Sequence, residues 1–186
     1  MTLPLELRNR LADLILDAFH DQQARRRLAA VSPSDGDERA AEVAERAGRA
    51  RRALGDRPLD PRDPSLPVAL SQAAVLFDAR LYFEVHERLE PYWLRASGAD
   101  RLALQGVIQV AVGFHHLENG NAAGARALLH DGAAKLLGRR VERIDLDSFA
   151  KDALRCLDEV NRLGAGAGAE FDWSSAPRFP LAAERD

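Results

Sequence analysis

Between Glu84 and Glu90 the chain gathers three carboxylates and an imidazole, Glu84, His86, Glu87 and Glu90, flanked by Tyr82 and Trp93. An imidazole that titrates near neutrality beside carboxylates is the equipment of general acid–base catalysis or of divalent-metal binding. At helical spacing Tyr82, His86, Leu89 and Trp93 share one core-facing stripe, with Glu87 and Glu90 on its shoulder and Glu84 turned away near the helix start. A second polar stripe follows: Leu102, Gln109, Gly113 and His116 fall in line, while His115 points elsewhere. Gly106 and Gly113 leave room for another helix, so the two polar stripes are expected to meet inside a bundle.

Such a meeting has two chemical outcomes. As a metal centre, His86, Glu90 and His116 would hold a divalent ion such as zinc, manganese or iron. The ion would acidify a bound water, Glu87 or Glu90 would act as general base, and Glu84, Gln109 and Trp93 would form the supporting polar group. As a structural cluster, the same groups would satisfy one another's hydrogen bonds and fix helix register. Spacing leaves both readings open. His86-Glu87-Arg88-Leu89-Glu90 has a glutamate where the H-E-x-x-H zinc helix has its second histidine. The Glu-x-x-His of di-iron bundles occurs only reversed, as His115-x-x-Glu118.

The elements that must position these residues are helical throughout. From Leu66 onward, periodicity predicts five helices at about 67–79, 81–95, 99–119, 121–138 and 146–163. The third is apolar almost all round, from Leu102 to Phe114, and should be the buried centre. No segment alternates β-branched and polar residues, so no strand is expected. Upstream, Leu7, Leu11, Leu14, Ile15 and Ala18 give residues 3–29 an apolar stripe. A second helix from about Asp37 to Leu54 is rich in Ala and Arg, and Glu42, Glu45 and Asp56 among Arg46, Arg49, Arg51, Arg52 and Arg57 make its charges read as a solvated face. Pro58, Pro61, Pro64 and Pro67 then forbid a helix. The expected organisation is an all-α fold, a compact bundle of about five helices with an N-terminal helical arm. Residues 1–57 form the arm, 58–67 a Pro-rich connector, 68–163 the bundle core and 164–186 a C-terminal strap. The arm's stripe must be covered by the parent core or by a second copy, and a homodimer is the expectation.

Composition excludes several classes. With 26 Lys+Arg against 29 Asp+Glu and interspersed signs, the chain offers no nucleic-acid surface. Its one cysteine, Cys156, on a stripe with Phe149, Ala153 and Val160, rules out a disulfide framework and reads as a small core hydrophobe. No apolar run is long enough for a membrane span or a signal peptide, which points to the cytoplasm. The glycines at 164–168 follow a helix rather than a strand, the wrong context for a dinucleotide cradle. No feature identifies a small-molecule ligand.

Three ordered blocks carry a resemblance: Phe77 to Trp93, Gln105 to Leu117, and Gly120-Asn121 with Gly124-Ala125. Together they resemble the family called domain of unknown function 309, over roughly residues 67–138. The resemblance implies a small helical bundle with Glu84, His86, Glu87, Glu90, Trp93, Gln109 and His116 at the family's marked positions, and the label of metal-dependent hydrolase. The chain departs from that pattern where Asp78 and Arg80 replace the usual Asn and Gly. An arginine in a left-handed turn costs on the order of 1 kcal/mol, so a differently built turn is expected. Pro91 replaces a common acidic residue and is expected to bend or end its helix before Trp93. The block also resembles a tetratricopeptide hairpin in its rhythm. That alternative, a binding or scaffold module without chemistry, would expose Tyr82, Tyr92 and Trp93 on a groove.

Overall fold

The computed structural model describes residues 3–32 and 37–180, and these form an all-α fold. The helices are α1 (Leu5–Asp17), α2 (Gln22–Ala29), α3 (Glu38–Leu54), α4 (Leu66–Asp78), α5 (Tyr82–Arg95), α6 (Gly98–Glu118), α7 (Ala122–Leu136), α8 (Asp147–Leu163) and the short α9 (Ala167–Glu170). A count of about five is therefore too low, because the N-terminal helices bury their apolar residues in the same core. Leu11, Ile15, Phe19, Leu28, Ala47, Ala50 and Leu54 join Leu70, Phe77, Leu104 and Phe114 in one cluster. The chain itself thus covers the α1 stripe.

The N-terminal helix expected over 3–29 is broken at Ala18–Asp21. The Asp21 side chain accepts the backbone N–H of Gln23 and caps α2, so the chain turns and α2 packs on α1 and α3. Of the break at Ser32–Gly36, only Ser32 falls among the described residues, and it is exposed. The Pro-rich segment is mostly exposed but anchored. Asp60 donates its N–H to Phe19 O at 2.8 Å and accepts from buried Gln72 Nε2 at 2.8 Å, and Arg25 donates to Arg57 O at 2.5 Å.

α6 runs through the centre, with α5 on one side and α7 on the other. Gly106 and Gly113 of α6 serve α7. A Cβ on Gly106 would stand 2.9 Å from Gly132 O, and one on Gly132 2.8 Å from Val110 N, so the two backbones touch. One feature without a strand signal is a hairpin in which Arg140–Val141 pairs antiparallel with Ile144–Asp145. Two-residue strands are too short to show alternation.

The α4–α5 turn keeps the left-handed residue. Arg80 has φ +58°, and Leu81 N–H donates to Leu76 O at 2.8 Å to close the end of α4. The cost of that conformation is offset by side-chain contacts: the Arg80 guanidinium lies 3.8 Å from the Trp173 ring centroid and 3.0 Å from Glu118 Oε1. Nor does Pro91 end its helix, which continues to Arg95. After α8, Phe171 and Phe179 are buried and Trp173 stacks on Tyr82. Cys156 is buried too, its thiol pushed up to about 11 by burial, as suits a core residue.

Candidate functional site

Phe83, at the start of α5, is the landmark of the site. Arg8 of α1 lies 4.3 Å from its ring centroid and Arg46 of α3 lies 5.9 Å away, so α1 and α3 both cover it. Two recesses flank it, and Phe83, His115 and Asn119 line both.

One recess, about 480 Å³, is also lined by Arg8, His86, His116 and Asn121. Here two imidazoles have opposite polarity. His86 Nδ1 stands 2.9 Å from Glu87 Oε1, and a carboxylate only accepts, so in the neutral ring Nδ1 carries the proton and Nε2, 3.8 Å from Glu90 Oε1, is bare. At His116 the logic runs the other way. Asn121 Oδ1 accepts the Gly124 N–H at 2.9 Å, which turns its Nδ2 toward His116 Nδ1, also at 2.9 Å. His116 Nδ1 is then an acceptor and Nε2 carries the proton. His86, Glu87 and Glu90 are each partly exposed, at 29%, 30% and 41% of their side-chain surface, so solvent reaches them.

The other recess, about 420 Å³, is walled by charge. Glu84 is not turned away; it is fully buried, because α3 lies over it and Arg46 Nη2 donates to its Oε1 at 2.5 Å. Burial raises the Glu84 carboxyl above the usual range, while Arg46 pulls it back. Arg49 joins Glu45 at 2.5 Å and Glu118 at 2.6 Å, and Arg80 shares that Glu118 oxygen. Burial first, then the charges of Arg46 and Arg8, lowers His115 to about 4, so it is neutral at pH 7.

The expected cluster is therefore divided. His86 and His116 line one recess with Glu90 beside His86, and Glu84 belongs to the other. Trp93 is packed against the Arg101 guanidinium at 4.6 Å, and among the described residues its Nε1 and the Gln109 Oε1 are buried without a partner. Among the described residues no group of three or more His, Cys, Asp or Glu could hold a metal ion, so His86, Glu90 and His116 do not fit as a three-ligand set. Of the three aromatics expected to line a peptide groove, Tyr82 is 2% exposed and Tyr92 and Trp93 are half-buried, so the groove reading is not favoured.

Sequence reasoning missed Arg46, Arg49 and the part of His115. The signal was present for one of them: Arg46, Ala50 and Leu54 recur at four-residue steps and form the buried stripe of α3. An arginine in such a stripe needs a buried acid opposite it.

The family described as a domain of unknown function (DUF309) matches residues 70–128, which spans most of α4 through α7 and includes His86, His116 and Glu84. No curated protein and no solved structure matches the chain. Among the described residues no helix is long and apolar enough to cross a membrane.

Proposed function

We propose that this chain, a DUF309 member by its α4–α7 block, is a hydrolase of acid–base type whose site is the recess shared by His86 and His116. The supporting observation is the opposed polarity of the two rings: a bare Nε2 on His86, fixed by Glu87, and a protonated Nε2 on His116, fixed by Asn121. His86 takes a proton from water as the water oxygen bonds to the electrophilic atom of the substrate. Glu87 stabilises the imidazolium through Nδ1–H, and His116 donates to the oxygen on which negative charge develops. The imidazolium then returns its proton to the leaving group. Because the donor set does not fit a three-ligand metal, each of these steps is assigned to side chains of the chain itself.

A screen of p-nitrophenyl esters, phosphates and phosphodiesters against the full chain tests this. One class should be hydrolysed, with His86→Ala slower by about 10²–10⁴-fold and Glu87→Gln also impaired. Absence of turnover in every class, or full activity in His86→Ala, contradicts the reading.

A further inference from the structure

The second recess holds an ion pair that a purely structural role leaves unfinished. Arg46 is 9% and Glu84 0% exposed, yet they share one hydrogen bond, Nη2 to Oε1. Buried arginine–carboxylate pairs gain most from the two-pronged geometry in which both oxygens are used. Here Glu84 Oε2 is buried without a partner among the described residues, although Glu84 lines the recess. An unsatisfied buried oxygen is expensive, and a ligand's N–H placed against it would remove that cost.

The remaining charges restrict what the ligand can be. Arg49 and Arg80 are engaged by Glu45 and Glu118, so the recess presents three arginines and four glutamates with near cancellation. A phosphate or carboxylate would meet the glutamates, and a strongly cationic group would meet the guanidiniums. What fits is a neutral group with a donor beside an acceptor: the donor for Glu84 Oε2, the acceptor for the Arg46 guanidinium. We infer that the Arg46–Glu84 recess binds a small ligand through a primary carboxamide or urea. This site is separate from His86, so it stands or falls independently of the hydrolytic reading.

The test is a titration of the full chain, followed by amide and arginine side-chain NMR signals, with four probes that share a phenyl ring. Benzamide offers donor and acceptor, N,N-dimethylbenzamide only the acceptor, benzoate a negative charge and benzylamine a positive one. Benzamide should shift the signals of Phe83, Glu84 and Arg46 and bind more tightly than the other three. Glu84→Gln keeps an oxygen for Arg46 but puts an NH₂ where Oε2 stands, and should weaken benzamide by about tenfold or more. Equal binding by benzoate, benzylamine or the dimethyl amide, no response to benzamide, or unchanged affinity in Glu84→Gln overturns the inference. Should that variant fail to fold, the four probes on the unaltered chain decide alone.

Discussion

The two recesses either side of Phe83 are built from the same two helices, α5 and α6, but are finished differently. On the Glu84 side, α3 closes over the carboxylate and every arginine is engaged by an acid or a ring. On the His86 side, α1 contributes one residue, Arg8, and the imidazoles and carboxylates remain partly open to solvent. The same residue types therefore carry different consequences. Buried and paired, they hold α3 to α5 and α6 and leave one oxygen for a ligand. Half exposed and hydrogen-bonded to a neighbour that fixes the tautomer, they are free to exchange protons.

Removing a paired group should separate the two sides most strongly. Arg46→Ala leaves Glu84 buried and uncompensated, and should lower the unfolding free energy by about 3–5 kcal/mol in a urea titration. A loss under about 1 kcal/mol would show that the pair is not a buried one. Next comes the seam that places α6 for both recesses. Gly132→Ala drives a methyl into Val110 and Gly106 and should cost about 1–3 kcal/mol, with an unchanged melting temperature as the contrary result.

A smaller effect divides the recesses by pH. His115 is lowered from 6.5 to about 4, so above pH 6.5 it is neutral in both folded and unfolded chains and takes nothing from stability. As pH falls from 6.5 toward 4, the unfolded chain takes up the proton first and stability drops, by at most about 1.4 kcal/mol per pH unit from this residue. His115→Gln should flatten that part of the pH–stability curve; an identical curve would remove His115 from the account. Least affected should be His86→Ala, whose ring is 29% exposed and spans no elements: a stability change within about 0.5 kcal/mol alongside the loss of activity. A large destabilisation would make His86 a structural residue instead.

How much of this was readable depends on where each residue's partner lies. The helices from α4 to α8 fall within one or two residues of their expected bounds, since each has its own apolar stripe, and α7 also has Asn121 as its cap. The His86 environment was legible in part, because Glu87 and Glu90 are its neighbours on one helix. Glu84 was misread because its partner is 38 residues away on α3, whose arginines alternate with acids and resemble a solvated face. Helical periodicity reports the face a residue occupies on its own helix, and says nothing of a second helix laid across that face. The division of the cluster followed from that, and the helix that Gly106 admits is α7.

The opposed polarity of the two histidines is the feature on which the proposed chemistry stands, and it can be observed without a substrate. A long-range ¹H–¹⁵N correlation spectrum at neutral pH distinguishes a protonated from a bare ring nitrogen. The structure predicts His86 with its proton on Nδ1 and His116 with its proton on Nε2. Both rings protonated on the same nitrogen, or either one exchanging between tautomers, would contradict it.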